Sequence, residues 1–335
     1  MKRFKLRLGR QGFVEKVGLI VALLLIILVF SLLNENYFSW QNLQNILTAA
    51  SMTGLVAIGE ALLIIGGLID LSPGSIAALS SVLAGLFISW GVPPLLVIPC
   101  VIICGLLIGF LNALGINKLK LEPFIVTLSA MSIARGLGYI LCGGKPVFIN
   151  NTEFSSIGSK RILGSFTLPV IMLILAMIVF SVVLSRTKFG RSIYVLGGNP
   201  YAARLAGLNP ERIKVYLFMI SAGLAALGGG LLASRMQSSQ PSSAVGLEFE
   251  GITAAVLGGV AMSGGIGNIA GVALGVLIIQ CFNTGLIMNG VQTFWQDIAR
   301  GILLILALGF DYYRRKKQSE RQLKRSISEM TQQET

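Results

Sequence analysis

Apolar segments separated by short polar stretches recur along almost the whole chain. Ten of them approach or reach the roughly 20 residues that a helix needs to cross a bilayer: 17–34, 46–67, 72–91, 94–116, 123–143, 167–185, 213–234, 250–264, 268–289 and 294–312. The eighth and ninth are the least regular, because glycines at 258, 259, 264, 265, 267 and 271 interrupt their apolar pattern. The pattern predicts an all-α integral membrane protein with about ten transmembrane helices.

Composition supports this class and argues against a nucleic-acid partner. The chain is 54% hydrophobic and only 12% charged, whereas about a quarter of the residues in soluble domains are charged. A net charge of +13 could suggest DNA or RNA binding, but nucleic-acid binders gather basic residues on one folded face. Here the basic residues lie in end segments and short loops, which is typical of a membrane protein that obeys the positive-inside rule.

The distribution of lysine and arginine predicts the orientation. If the N-terminus is cytoplasmic, 21 of the 27 basic residues fall in the cytoplasmic pieces 1–16, 117–122, 186–214 and 313–335. Four face outside and two, Arg135 and Arg300, lie inside spans. This bias predicts cytoplasmic termini and an even number of spans. The chain then divides into a basic N-terminal segment (1–16), a polytopic transmembrane domain (17–312) and a basic tail (313–335).

Spans 2–5 and 7–10 resemble each other faintly, which predicts an inverted repeat. Gly105-x-x-x-Gly109 followed by Asn112 is matched by Gly271-x-x-x-Gly275 followed by Asn283, and the polar run at 66–77 is matched by 258–270. Such small-residue pairs favour close helix packing. A five-span offset would place the two groups in opposite orientations, as in transporters that build a central pathway from interrupted helices.

A polar break between the second and third spans is a candidate for that pathway. The stretch from Ile65 to Ser75 holds Gly67, Asp70, Ser72 and Gly74 between apolar segments. Backbone groups freed by such a break must face protein or water rather than lipid. The alternative is a tight turn, in which Asp70 or Ser72 caps a helix that begins near Pro73.

The longest polar loop, 186–212, is a candidate docking segment. Asn199 is predicted to cap a short helix from Pro200 to Ala206, which Gly207 would close. A short helix of this kind suits insertion into a partner's groove. An ordinary connecting loop is the alternative.

The motifs that the sequence lacks limit the possible energy sources for its activity. The sequence has no G-x-x-x-x-G-K-[ST] phosphate loop and no histidine. Few carboxylates lie deep in spans, chiefly Glu60 and Asp297, whereas a proton-coupled carrier usually needs a relay of titratable groups. The four cysteines lie within or at the edges of apolar stretches and the chain has no histidine, so no metal site is predicted. We expect a non-enzymatic subunit, without a cofactor of its own, that is driven by a partner.

Several motifs, in order along residues 40–312, resemble one family. They are Gly67-Leu-Ile-Asp-Leu-Ser-x-Gly-Ser75, Pro123-Phe-Ile-Val-Thr-Leu128, Arg135-Gly136, Thr187-x-Phe-Gly-Arg191, Gly198-Asn-x-x-Ala-Ala-x-x-Ala-Gly207 and Ala254-Ala-Val-Leu-Gly-Gly259 followed by Gly264-Gly265. Together they resemble the ribose/xylose/galactose-type permeases of bacterial ABC importers, in the branched-chain amino acid/ribose permease superfamily. Pro73 and Leu68 depart from the common pattern.

The resemblance implies a monosaccharide permease of the bacterial inner membrane that works by alternating access. Its partners would be an ATP-binding cassette ATPase, a periplasmic sugar-binding protein and a second copy or sister permease. The implied coupling residues are Gly198, Asn199, Ala202, Ala203, Arg204, Leu205, Ala206 and Gly207. The expected pathway residues are Gly67, Asp70, Ser72, Gly74, Asn112, Gln280 and Asn283. A permease for branched-chain amino acids or nucleosides, or an ion-coupled secondary carrier, are the alternatives.

Overall fold

The computed structural model describes residues 2–162 and 166–333, and it is nearly all helical. The helices are α1 Lys2–Leu33, α2 Trp40–Ile65, α3 Pro73–Ser89, α4 Pro94–Lys118, α5 Pro123–Leu141, α6 Thr152–Ser159, α7 Leu168–Arg186, α8 Lys188–Gly198, α9 Pro200–Leu205, α10 Pro210–Met236, α11 Leu247–Leu257, α12 Ile269–Met288 and α13 Thr293–Gln333. The short strands are β1 Val147–Phe148, β2 Arg161–Ile162, β3 Phe166–Thr167 and β4 Ser238–Ser239, and they pair antiparallel as β1 with β4 and β2 with β3.

Within the described part of the chain, seven helices are long and apolar enough to cross a membrane. They are α2, α4, α5, α7, α10, α12 and the first half of α13; residues 17–33 of α1 and helix α3 are apolar but shorter. The outer faces of α4, α5 and α7 carry many exposed large apolar side chains, such as Leu107, Ile140 and Leu175. Exposed apolar surface of this extent matches a hydrocarbon environment.

Prolines and polar caps set where the helices begin. Pro73, Pro94, Pro123, Pro200 and Pro210 each occupy the first turn of a helix, where the missing N–H costs nothing. Side chains that accept a bond from the first-turn N–H groups are Ser39, Asn151, Thr187, Asn199, Asn209 and Asn268.

Helix α10 forms the centre of the fold, where it packs against α2, α3 and α4. Its close approach depends on glycine: a Cβ at Gly229 would overlap the carbonyl oxygen of Ala77 in α3, and one at Gly109 of α4 would overlap the carbonyl oxygen of Phe218. Gly275 is equally close to the carbonyl oxygen of Ala254. The interpretation of the two Gly-x-x-x-Gly pairs as packing faces is confirmed.

Helix contacts in the two halves correspond. If α2–α5 correspond to α10–α13 in order, equivalent helices make equivalent contacts. α10 packs on α3 and α4, and its counterpart α2 packs on α11 and α12. Likewise, α3 contacts α5, and α11 contacts α13. Two sequence repeats follow the same correspondence. Residues 54–63 of α2 and 223–232 of α10 are identical at six of ten positions, and Ile-Ala-Arg-Gly occurs at 133–136 in α5 and at 298–301 in α13.

Two expectations need correction. The glycine runs at 66–67 and 258–267 follow α2 and α11, so they are not equivalent under a five-span offset. α11 ends at Leu257, short of the predicted 264, because the glycine-rich chain leaves helical geometry at Gly259, Gly264 and Gly265, where φ is +89°, +80° and +73°. The structure also shows that the basic end segments are helical, because α1 and α13 extend to Lys2 and Gln333; lysine, arginine, glutamine and leucine all favour helix.

Candidate functional site

The N-termini of α3 and α11 meet inside the fold. A Cβ at Gly74 would overlap the Glu248 carboxylate and would lie 2.7 Å from the carbonyl oxygen of Ala244. Both helices are short and both follow a non-helical segment, 66–72 before α3 and 240–246 before α11. Interrupted helices whose N-termini converge are the usual setting of a transporter's substrate site, because they bring backbone N–H groups and polar side chains into the interior.

Asp70, Ser72 and Asn112 form one buried cluster. The Asp70 Oδ1 atom accepts from the Ser72 backbone N–H at 2.8 Å and from its hydroxyl at 2.5 Å, and the Asn112 side-chain amide donates to Ser72 Oγ at 3.2 Å. Ser72 precedes α3 without donating or accepting a side-chain cap bond. Asp70 therefore fixes the turn before the helix, and Asn112 of α4 ties that turn to a second element.

Gln280 and Asn283 belong to a second cluster, centred on Glu250. The Gln280 amide donates to Thr53 Oγ1 at 2.7 Å and approaches Glu250 Oε2 at 3.3 Å, and the Asn283 amide donates to Glu250 Oε1 at 3.1 Å. Arg300 Nε lies 3.4 Å from the same carboxylate. One carboxylate thus joins α2, α11, α12 and α13. The five polar residues among the predicted pathway residues fall into two separate clusters.

A cavity of about 730 Å³ opens beside the Glu250 cluster. Its polar lining comes from five helices: Ser75, Ser132, Arg135, Glu248, Glu250, Thr253, Asn283, Asp297 and Arg300. Of the predicted pathway residues, only Asn283 lines it. Gly74 lies against Glu248, and Gly67 follows the end of α2. The others are buried outside the lining: Asp70, Ser72, Asn112 and Gln280.

Sequence reasoning missed Arg135 and Arg300 as cavity residues. Arg135 Nη1 donates to the carbonyl oxygens of Pro241 and Ser243 at 2.6 and 2.7 Å, so it holds the segment before α11. The repeated Ile-Ala-Arg-Gly at 133–136 and 298–301 was the available signal, because two arginines at matching positions of two half-chains are expected to face a shared interior.

Three glycine pairs meet at the end of the fold that carries α8 and α9. The Gly265 N–H donates to the carbonyl of Ile65 at 2.8 Å, and the Tyr194 hydroxyl donates to the carbonyl of Gly267 at 2.8 Å. Gly197 lies against both partners, since a Cβ there would overlap the Ile65 carbonyl oxygen and lie 2.8 Å from the Gly265 nitrogen. We call 66–67, 197–198 and 264–265 the glycine junction. It joins the 186–212 loop to the segment between α2 and α3 and to the loop between α11 and α12.

The 186–212 loop folds as two helices. Asn199 Oδ1 accepts from the N–H groups of Tyr201 and Ala202 at 2.9 and 3.0 Å, and Gly207 follows α9 with φ +75°. The predictions that Asn199 caps this helix and that Gly207 terminates it are confirmed, although α9 ends at Leu205. Ala203 is buried, whereas Tyr201 and Leu205 are 70% and 74% exposed. α9 therefore presents an apolar surface outward, as a docking segment would.

The cap makes a local prediction. Asn199→Ala should raise amide hydrogen exchange across 200–206 about fivefold, because loss of an N-cap costs about 1 kcal/mol of helix stability. Exchange measured by mass spectrometry on the purified chain checks this. Asn199→Ser is the control, because serine caps about as well as asparagine. Equal exchange in the two variants would contradict the cap's contribution.

Long apolar helices around a polar, interrupted interior define a multi-pass membrane protein of the transporter class. The family described as branched-chain amino acid transport system / permease component matches residues 42–308. The chain belongs to this permease family.

Relatives match over nearly the whole length. The ribose import permease protein RbsC of Bacillus subtilis is 39% identical, over 91% of this chain and 95% of that protein. RbsC of Escherichia coli K12 is 35% identical, over 87% and 92%. The L-arabinose ABC transporter permease protein AraH of Azospirillum brasilense is 34% identical, over 92% and 91%. No solved structure matches the chain.

Proposed function

We propose that this chain is the membrane-spanning subunit of an ABC importer that carries a monosaccharide, a pentose or a hexose, across the bacterial inner membrane. The similarity to ribose and arabinose permeases along about nine-tenths of the chain carries the proposal. Because the sequence holds no phosphate loop, ATP would be bound and hydrolysed by a partner subunit. A periplasmic binding protein and a second permease copy, or a sister permease, complete the importer.

The proposed topology has ten spans, with both termini in the cytoplasm. The spans are α1 from residue 17, α2–α5, α7, α10–α12 and the first half of α13, so that α2–α5 and α10–α13 form the inverted repeat. Matching helix contacts and the two sequence repeats support this arrangement. The basic residues concentrate at the end that holds the glycine junction, which supports placing that end in the cytoplasm.

The proposed mechanism is alternating access. A loaded binding protein docks on the external face, and ATP closes the partner ATPase against α9. Motion of α8 and α9 then reaches the glycine junction, where Gly197 lies against the end of α2 and the loop before α12. Since 66–72 leads directly to the N-terminus of α3, a shift there alters the polar interior. No catalytic residue of this chain is required.

Uptake tests the substrate class. Cells that lack the gene and then regain it are compared for uptake of radiolabelled pentoses, hexoses, leucine and a nucleoside. We expect loss and rescue for one sugar only. Rescue of a nucleoside alone would overturn the sugar assignment and leave the permease class intact.

The family description favours one second candidate, a branched-chain amino acid permease. Leucine uptake that is lost and rescued, with no sugar affected, would establish it. An ion-coupled carrier is tested in proteoliposomes. Uptake by the reconstituted importer should require ATP on the side of the membrane that holds the ATPase subunit. Uptake driven by an ion gradient without ATP would overturn the proposed energy source.

Labelling of single cysteines tests the topology. In a cysteine-free background, Lys160→Cys should react with a membrane-impermeant maleimide added outside cells, and Arg204→Cys should react only after the membrane is opened. Both positions are exposed in the fold, so a difference in reactivity reports the side of the membrane. The opposite pattern would invert the proposed orientation.

A further inference from the structure

We propose that the cavity between α3, α5, α11, α12 and α13 is itself a sugar-binding site, in which side chains from both halves of the chain hydrogen-bond an uncharged monosaccharide. This inference rests on the proposed function, because it names the residues that contact the transported sugar. The cavity volume, about 730 Å³, falls within the range of roughly 300–1,000 Å³ typical of small-molecule sites. Apart from Asn283, its lining differs from the pathway residues predicted from the sequence.

Unused hydrogen-bond acceptors point to the chemistry of the ligand. Glu248, Asn283 and Ser75 line the cavity, and one buried side-chain oxygen of each, Oε2, Oδ1 and Oγ respectively, has no hydrogen-bond partner among the described residues. Glu248 as a whole is only 4% exposed. Buried polar atoms in folded proteins are nearly always paired, and leaving one unpaired costs about 1–3 kcal/mol. Sugar hydroxyls are donors that would satisfy these three oxygens once the side chains turn toward the cavity.

Both arginines of the cavity already have protein partners, which argues against an anionic substrate, although Arg300 Nε has an ion-pair partner and no hydrogen bond among the described residues. Arg135 Nη1 donates to two backbone carbonyls, and Arg300 lies 3.4 Å from carboxylate oxygens of both Glu250 and Asp297. Recognition of a phosphate or carboxylate normally takes a guanidinium fork that is free to pair with it. Three carboxylates, those of Glu248, Glu250 and Asp297, outnumber the two arginines in the lining. An uncharged polyol therefore fits better than an amino acid or a sugar phosphate.

The rest of the wall is apolar. Phe249, which is 45% exposed, lines the cavity with Val245, Met131, Ile279 and Leu303. A monosaccharide carries C–H groups between its hydroxyls, and these pack on aromatic and aliphatic side chains. A mostly apolar wall with a few convergent polar groups is the common design of small-molecule sites.

Direct binding tests the site. The permease–ATPase complex is placed in nanodiscs without the binding protein, and binding of radiolabelled D-ribose and L-arabinose is measured by scintillation proximity, with leucine as the amino-acid arm. We expect saturable binding of one sugar and none of leucine. Glu248→Gln should weaken that binding at least about tenfold, because the amide replaces an acceptor with a donor. Ser75→Ala should weaken it several-fold, and it removes no hydrogen bond within the described part of the chain, because the Ser75 hydroxyl has no partner there.

The controls separate this inference from the proposed function. Glu153→Gln, an exposed change on α6, should bind sugar like the unmodified chain. If the complete importer carries a sugar but its complex binds none, or if both cavity variants bind normally, the cavity assignment alone is overturned. If the importer carries leucine and no sugar, the proposed function fails and the cavity assignment with it.

Discussion

Replacing Gly197 by alanine should abolish sugar uptake while the permease still reaches the membrane. The added Cβ would overlap the carbonyl oxygen of Ile65 and crowd the nitrogen of Gly265. Both neighbours are backbone atoms, which cannot rotate away as a side chain can. The substitution must therefore separate α8 from the end of α2 and from the loop before α12, and motion of α9 would no longer reach the interior. Uptake in cells, together with the sugar-stimulated ATPase activity of the reconstituted importer, measures the effect.

The neighbouring glycine supplies a matched control. Gly198 is one of the implied coupling residues and belongs to the glycine junction, but it is exposed and a Cβ there would meet nothing within 4 Å. An alanine leaves its backbone contacts in place, so Gly198→Ala should retain uptake close to that of the unmodified chain. If Gly197→Ala transports normally, the glycine junction does not couple the two parts of the fold. If both variants lose uptake, the loss is caused by any replacement of glycine in this loop and not by the backbone contact at Gly197.

Gly229→Leu should have the largest effect on stability. Gly229 lies in the middle of α10 against the carbonyl oxygen of Ala77, so any side chain must push α10 away from α3. Overpacking of a core costs about 1–3 kcal/mol when side chains can adjust, and here a backbone atom must move. We expect a loss of at least about 3 kcal/mol, seen as a large fall in the temperature at which the detergent-solubilised protein loses its monodisperse peak in size-exclusion chromatography.

Gly309→Leu is the comparison for that experiment. Gly309 also lies within a long helix, but it is exposed and no atom lies within 4 Å of a Cβ placed there. Both substitutions change helix propensity in the same way, so only the packing differs. Equal thermal stability of the two variants would show that the α10–α3 contact contributes little.

The helices themselves were predictable from the sequence, since each predicted apolar segment has a helix in the fold. The physical cause of these helices is local. A single apolar segment that crosses lipid can pair its backbone N–H and C=O groups within itself only as a helix. The ends were less predictable. Residues 2–16 continue α1 and 313–333 continue α13, because charged residues with good helix propensity carry no signal that stops a helix.

The interior was only partly predictable. Asn199 and Gly207 act locally, and their interpretation from sequence was accurate. Asp70 and Ser72 were recognised as polar residues at a break, but Glu250 emerged as the centre of a cluster only when α2, α12 and α13 were brought together. Such contacts depend on the arrangement of distant segments, and the glycine junction likewise joins residues that no spacing along the chain relates.

The two matching helices differ at one buried position. Residues 54–63 and 223–232 agree at six of ten positions, yet Glu60 occupies the position that Gly229 has in the second segment. Gly229 lets α10 approach the backbone of α3, whereas Glu60 is fully buried and lies against Gly251 of α11. The two helices are therefore not interchangeable: a carboxylate in place of Gly229 would collide with the Ala77 carbonyl oxygen, and a glycine in place of Glu60 would remove the side chain that contacts α11.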